Sequence, residues 1–100
     1  MNVIFLEPAK LELQKAIDYY NGQKEDLGEE FAQEVETTVQ RICLLPGAWT
    51  RLSDTVRRCR TNRFPYGLVY HQKGDDIIIL AVMHLRRKPG YWKERLKDGK

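Results

Sequence analysis

Apolar residues recur at helical spacing over the first half of the chain. One stripe of a buried helix face consists of Ala9, Leu13, Ala16, Ile17 and Tyr20. Pro8 precedes this stripe and suits the first turn of a helix, where the N–H that proline lacks has no partner anyway. Because Asn21-Gly22 is typical of a helix end, we predict a first helix from Pro8 to Gln23.

A second helix is predicted from Gly28 to Leu45. Asp26, followed three residues later by Glu29, has the spacing of a capping box, and Pro46-Gly47 ends the pattern. The buried face is predicted to hold Leu27, Phe31, Val35, Val39, Ile42 and Leu45. The short connection predicts that the two helices form an antiparallel hairpin. The outer faces of this hairpin are predicted to carry Glu12, Asp18, Glu30, Glu34 and Glu36.

Four segments have the composition of β-strands, and they are residues 2–6, 56–61, 66–72 and 76–83. Residues 73–75, Lys-Gly-Asp, predict a hairpin turn between the last two strands. The arginines of 56–61 favour an edge strand, because charged side chains discourage pairing with other chains. Residues 76–83 are largely apolar on both faces, which predicts a central strand.

These elements predict one α+β domain over residues 1–100. Its order is an N-terminal strand, a helical hairpin, a three-stranded antiparallel meander and a short C-terminal helix from Pro89. The two helices would pack on a four-stranded sheet. The first strand pairs either with 76–83 or at an edge, and its apolar sequence favours a place near the centre.

Charge divides the chain into two halves. The net charge is +3, but residues 1–50 hold four Lys/Arg against nine Asp/Glu, whereas residues 51–100 hold thirteen against five. The second half therefore favours an anionic partner, such as phosphate, nucleic acid or an acidic protein segment. A merely solvated basic surface is the alternative.

Other classes of function find no support in the sequence. Cys43 and Cys59 are too few for a disulfide framework, and with only His71 and His84 beside them they lack zinc-site spacing. We expect reduced cysteines, no metal and no cofactor. Only four consecutive residues, Val3 to Leu6, are apolar at the N-terminus, too few for a signal peptide or a membrane span. We expect a cytoplasmic protein that does not bind a membrane.

Two basic clusters carry the candidate chemistry. One accompanies the strand at 56–61 and holds Arg57, Arg58, Arg60 and Arg63, and the other follows the last strand and holds His84, Arg86, Arg87 and Lys88. We expect them to share a rim on the face of the sheet that the helices leave uncovered. Metal-independent RNA cleavage needs a base, cations at the phosphorane and an acid. His84, the arginines and Tyr91 supply these groups, although His84 in a structural role is the alternative. Trp92 is predicted to pack in the core.

Five blocks of the sequence resemble the RelE/ParE superfamily of bacterial toxins. They are AIDYYNGQ (16–23), LGEEFAQEVE (27–36), RICLLPGAW (41–49), VRRCRTNRFPYGLVY (56–70) and AVMHLRRKPGYW (81–92). The resemblance implies the toxin of a type II toxin–antitoxin module, which inhibits growth, stabilises plasmids and is neutralised by a cognate antitoxin. The RelE branch cleaves mRNA on the ribosome, and the ParE branch poisons DNA gyrase.

Two departures from the RelE pattern favour the ParE branch. RelE-type nucleases carry an arginine within a Y-R-L-V-Y strand, where this chain has Gly67, and the helical hairpin is long, as in ParE-type toxins. We therefore expect inhibition of gyrase. The alternatives are a metal-independent endoribonuclease, with His84, Arg86, Tyr91 and Arg63 as candidates, and an inactive binding module.

The resemblance also implies a protein partner. The antitoxin is expected to bring an acidic, amphipathic tail to the basic rim. The contact residues predicted for this tail or for the target are Arg57, Arg58, Arg60, Arg63, Arg86, Arg87 and Tyr91. A homodimer, or a heterotetramer with the antitoxin, is the expected assembly.

Overall fold

A computed structural model describes residues 1–97 of the chain, so that positions 98–100 of the predicted domain lie outside the described residues. Two α-helices follow the first strand, and a five-stranded sheet is completed by the second half of the chain. The elements are β1 (Asn2–Phe5), α1 (Glu7–Gln23), α2 (Leu27–Leu44), β2 (Thr50–Arg51), β3 (Val56–Arg60), β4 (Tyr66–Lys73), β5 (Asp76–His84) and a 3-10 helix (Lys93–Lys97).

The strand order is β1-β5-β4-β3-β2. β3, β4 and β5 form the predicted antiparallel meander, and β1 pairs parallel to β5 from Asn2 opposite Asp76 to Phe5 opposite Ile79. The strand predicted to be central is therefore interior, and β1 is its neighbour at one edge of the sheet. Gly74, with a φ of 59°, forms the predicted hairpin turn with Asp75.

The prediction of four strands was wrong, because the loop after α2 adds the two-residue β2. Thr50 and Arg51 of β2 pair with Arg58 and Arg57 of β3. β3 is therefore covered along part of its length and is not the outermost strand. The prediction of an edge strand from the arginines of β3 was therefore wrong.

Two predicted details of α2 were also wrong. Asp26 adopts a left-handed backbone conformation, with a φ of 66°, and its side chain makes no capping hydrogen bond. The tight connection instead brings Asn21 of α1 to the start of α2, where its Oδ1 accepts the Gly28 N–H at 2.7 Å. At the other end the helix stops at Leu44, so that Leu45 leaves the buried stripe and is 58% exposed.

Apolar side chains fill both faces of the sheet. On the helix side, Phe31 and Ile42 of α2 pack with Leu68, Tyr70 and residues of α1. On the opposite face, hereafter the helix-free face, Trp92 of the C-terminal segment (residues 85–97) packs with apolar residues of β3, β4 and β5. Trp92 is only 3% exposed, which confirms its predicted place in the core. The helix-free face, expected to be open, is thus partly covered by this segment.

The tight approach of α1 and α2 generates a test. A Cβ at Gly28 would lie 2.4 Å from the Ile17 carbonyl oxygen and 2.6 Å from Asn21 Cγ, and backbone cannot move away cheaply. We expect Gly28→Ala to lower the free energy of unfolding by about 1–3 kcal/mol, measured by urea denaturation. Gly22→Ala is the control, because a Cβ there meets nothing within 4 Å and alanine favours a helix. A Gly28→Ala variant as stable as the control would contradict this packing.

Candidate functional site

Both basic clusters lie at the same end of the sheet, but not side by side. β3 and β5 run in the same direction, because each is antiparallel to β4. Arg60 at the end of β3 is opposite Gly67, and His84 at the end of β5 is opposite Tyr66. The beginning of β4 therefore separates the clusters by two strand spacings, roughly 10 Å. The rim that the two clusters were expected to share is therefore divided by β4.

The arginines of β3 point to different faces of the sheet. Arg57 lies on the helix side, as Cys59 does, and donates a 2.9 Å hydrogen bond to the Trp49 carbonyl. Arg58 lies on the helix-free face, next to Gly67. Arg60 is exposed. Arg57 therefore does not belong to a shared rim.

Gly67 leaves room for the Arg58 side chain. A Cβ at position 67 would lie 2.9 Å from Arg58 Cγ and 3.0 Å from Cδ, with Leu85 Cδ2 at 3.4 Å. The Arg58 Nε is buried, and it has no hydrogen-bond partner within the described part of the chain. The space that a larger residue at position 67 would need is thus already occupied by an arginine stem from the neighbouring strand.

Arg63 faces the helical hairpin. Its guanidinium lies 2.8 Å from the Glu30 carboxylate, and its backbone N–H donates to Glu34 Oε1 at 3.2 Å. The hydrogen bond from Arg63 lowers the pKa of Glu30. Arg63 is therefore paired with α2 and does not converge with His84 and Arg86.

The Glu12 carboxylate organises the end of β5. Its Oε1 accepts the Val82 N–H at 3.1 Å and an Arg95 guanidinium N–H at 2.8 Å, and its Oε2 accepts the Tyr91 hydroxyl at 2.8 Å. Arg87 lies 3.7 Å from the same carboxylate. The sequence placed Glu12 on the solvent face of the hairpin and did not single out Arg95. The roles of Glu12 and Arg95 could not be read from local spacing, because the partners of Glu12 lie 70 to 83 positions away along the chain.

Tyr91 is held within this cluster. Burial and the hydrogen bond to Glu12 raise the pKa of Tyr91 well above the usual tyrosine range. The Arg87 guanidinium carbon lies 3.8 Å from the centroid of the Tyr91 ring, in a cation–π contact. One face of the ring is therefore covered by an arginine.

His84 lines a shallow cleft together with Glu12 and Arg87. Its ring packs edge-on against Tyr66, with 5.1 Å between the ring centroids, and its Nδ1 accepts the Arg86 N–H at 3.1 Å. The cleft, of about 260 Å³, is also lined by Lys15 and Tyr19 of α1. Arg86 itself is exposed.

Within residues 1–97, no group of three or more His, Cys, Asp or Glu side chains is placed to hold a metal ion. No helix of that part of the chain is both long enough and apolar enough to cross a membrane. Cys43 and Cys59 are free thiols, half-buried and buried, respectively.

Comparison with known proteins supports the resemblance seen in the sequence. Residues 3–89 match the family model described as the ParE toxin of the type II toxin–antitoxin system, parDE. No curated protein matches the chain. Among solved structures, the chain is similar to one described as a chromosomal ParDE TA system from P. aeruginosa, with a TM-score of 0.76 and 20% identity. This match covers 86% of the present chain and 97% of the other, and at that identity it shows the shared fold.

The environment of Tyr91 predicts how stability depends on pH. The folded chain holds the Tyr91 proton more tightly than the unfolded chain does, so this contribution is complete below the ordinary tyrosine pKa of about 10 and is lost as the pH rises above it. We expect the free energy of unfolding of Tyr91→Phe to fall less steeply between about pH 10 and 12 than that of the unmodified chain. Urea denaturation across this range measures the two slopes.

Tyr19→Phe is the matched control, because Tyr19 is exposed. Tyr70, whose pKa burial raises to about 12, is present in all three proteins and cancels in the comparison. Equal slopes for Tyr91→Phe and the unmodified chain would show that the Tyr91 hydroxyl is not held by Glu12.

Proposed function

The chain belongs to the family of ParE toxins of type II toxin–antitoxin systems, and from this premise we propose that it acts by inhibiting DNA gyrase. The role of toxin comes with the family. The choice of gyrase as the target follows the ParE branch. It is supported by the side chains that RNA cleavage would require, because one of them is missing and others are held in internal contacts.

The contact between Gly67 and Arg58 carries this proposal. A RelE-type nuclease would place a guanidinium at position 67, but here the Arg58 stem lies only 2.9–3.0 Å from where a Cβ would be. Restoring a large cationic side chain at position 67 would require Arg58 to move. The strand therefore lacks the cation that the nuclease pattern supplies.

Of the four candidate groups named for a nuclease, Tyr91, Arg63 and His84 are engaged by other contacts, whereas Arg86 is exposed. The Tyr91 hydroxyl donates a hydrogen bond to Glu12, and its raised pKa makes it a weaker acid toward a leaving oxygen. Arg63 is paired with Glu30. One nitrogen of His84 already accepts the Arg86 N–H. This arrangement favours a protein that poisons by binding over one that cleaves RNA.

The partner that we propose is a cognate antitoxin with an acidic, amphipathic tail. Arg60, Arg86 and Lys88 are exposed at one end of the sheet and would attract such a tail by charge complementarity. The nearby cleft of about 260 Å³ is lined in part by Tyr19 and Tyr66, and we propose that it receives an apolar side chain of the tail. Arg57 and Tyr91 contribute through their internal contacts and not as exposed ligands. The heterotetramer with antitoxin stays a prediction.

The proposed target also sets the place of action. Gyrase acts on DNA in the bacterial cytoplasm, so the toxin would act there and arrest growth. Such a module carried on a plasmid would stabilise the plasmid, because cells that lose it also lose the supply of antitoxin.

Inducible expression of the chain without antitoxin tests the target. We expect DNA breaks, induction of the DNA-damage response and filamentation, while a reporter mRNA stays intact by primer extension. His84→Ala and Arg86→Ala should leave mRNA intact as well.

Co-expressed antitoxin should restore growth, and the doubly charge-reversed toxin Arg60→Glu/Arg86→Glu should be neutralised less well. Cuts located at codons, without DNA breaks, would identify a nuclease, and normal growth would identify an inactive binding module.

A further inference from the structure

Three polar side chains of β2 and β3 project from the helix-free face of the sheet. Thr50 lies opposite Arg58, and Arg58 lies opposite Val69. Residues directly opposite each other on neighbouring strands share a face, and Val69 belongs to the apolar cluster of the helix-free face. Thr50 and Arg58 therefore project there, and so does Arg60 by strand alternation. These three residues are called the Arg58 patch below.

Arg58 is the half-buried member of the Arg58 patch, whereas Thr50 and Arg60 are exposed. Within residues 1–97 the enclosed Arg58 Nε has no hydrogen-bond partner, and its guanidinium takes part in no ion pair. By contrast, the guanidinium groups of Arg63 and Arg95 each have a carboxylate partner. A half-buried cation without a counter-charge favours the binding of an anion, which compensates for the water that burial removes.

Gly67 sets the place of the Arg58 guanidinium. A Cβ at position 67 would lie 2.9 Å from Arg58 Cγ and 3.0 Å from Cδ. The Arg58 stem therefore lies against the backbone of β4, at the only glycine of that strand. Gly67 is opposite Arg60, so the stem of Arg58 leans along the face toward the level of Arg60. Any side chain at position 67 would displace it.

We propose that the Arg58 patch binds the phosphodiester backbone of a nucleic-acid duplex without reading its sequence. A planar guanidinium forms two parallel hydrogen bonds to the oxygens of one phosphate, so Arg58 and Arg60 supply two phosphate contacts. The Thr50 hydroxyl is a further donor of the kind that contacts phosphates. This inference goes beyond the proposed function, because it requires neither gyrase nor an antitoxin.

The surroundings of the Arg58 patch select phosphate over an acidic protein segment. An amphipathic segment needs apolar anchors, but the exposed large apolar side chains of the described residues all precede β2. They are Met1, Ile4, Leu11, Tyr19, Leu44 and Leu45. A phosphodiester backbone, in contrast, carries charge along its whole length. It would meet no repulsion from these strands, because β2, β3 and β4 contain neither Asp nor Glu.

The same strands favour a duplex over a single strand. Proteins that bind single strands stack the bases on exposed aromatic rings. β2 and β3 contain no Phe, Tyr or Trp, and the two tyrosines of β4, Tyr66 and Tyr70, pack with the helix-side core. The Arg58 patch therefore offers contacts to a backbone and no platform for bases. A duplex presents its backbone outward and keeps its bases stacked inside.

Fluorescence anisotropy with the purified full-length chain tests the proposal. The labelled probes are a short DNA duplex of arbitrary sequence, an RNA duplex of the same sequence, single-stranded oligo-dT and a polyglutamate peptide. We expect a duplex to bind most tightly, with a Kd between about 1 and 100 µM at physiological salt and a steep loss of affinity as salt rises. The tighter of the two duplexes identifies DNA or RNA as the source of the phosphates.

Variants separate the Arg58 patch from the net charge of the molecule. Arg58→Ala and Arg60→Ala should each weaken duplex binding about tenfold and lower the salt slope by about 1. Arg51→Ala is the matched control, because exposed Arg51 lies opposite Arg57 and thus on the helix side. It removes the same charge and should change binding far less. Gly67→Ala removes no charge but displaces the Arg58 stem, so it should also weaken binding.

Four outcomes would overturn the proposal, provided that circular dichroism shows each variant to be folded. The first is no binding of either duplex by about 100 µM protein at low salt, since non-specific binding is tighter than that. The others are tighter binding of oligo-dT or polyglutamate, a loss in Arg51→Ala as large as in Arg58→Ala, and unchanged binding by Gly67→Ala. Because gyrase is absent from these measurements, such a failure leaves the proposed target untouched.

Discussion

One carboxylate completes the sheet where its first strand ends. The ladder between β1 and β5 ends with Phe5 opposite Ile79, and its last hydrogen bond runs from the Leu6 N–H to the Ile79 carbonyl. Beyond that point, Glu12 accepts the Val82 N–H, and Arg95 donates to the Leu80 carbonyl at 3.0 Å. The ion pair of Glu12 and Arg95 thus supplies the acceptor and the donor that a further residue of β1 would have supplied. The Val82 N–H and the Leu80 carbonyl, which would otherwise lack a hydrogen-bond partner at the end of β1, are therefore paired.

The same carboxylate fixes the C-terminal segment. Tyr91 and Arg95 bond to Glu12, and between them Trp92 is buried on the helix-free face. Charge-assisted hydrogen bonds are stronger than neutral ones. Because the side chains of Glu12 and Arg95 are mostly shielded from water, salt in the solvent screens their attraction only weakly. The segment whose arginines and Tyr91 were predicted to contact a partner is therefore anchored to the core by Tyr91, Trp92 and Arg95. Its exposed cations, such as Arg86 and Lys88, remain for a partner.

Local patterns in the sequence predicted most of the fold. The apolar stripes gave both helices, the doubly apolar run gave the interior strand β5, and Lys73-Gly74-Asp75 gave the hairpin. What failed depended on contacts between distant residues. Glu12 looked like one more acidic residue on a helix surface, because nothing near it in the sequence reveals Val82 or Tyr91 as partners. The arginines of β3 were grouped by spacing, although strand alternation and the position of β4 separate them.

The central claim is that Glu12 holds the C-terminal segment through Arg95, and a double-mutant cycle measures that interaction most directly. Glu12→Ala, Arg95→Ala and the double variant would be compared by urea denaturation with the unmodified chain. We expect Glu12→Ala to cost about 3 kcal/mol or more, because it leaves the largely buried Arg95 guanidinium without its carboxylate. Arg95→Ala should cost less, because Arg87 and the Tyr91 hydroxyl stay beside Glu12. We also expect a coupling energy of at least about 1.5 kcal/mol. Effects that add to within about 0.5 kcal/mol, the behaviour of independent sites, would contradict this claim.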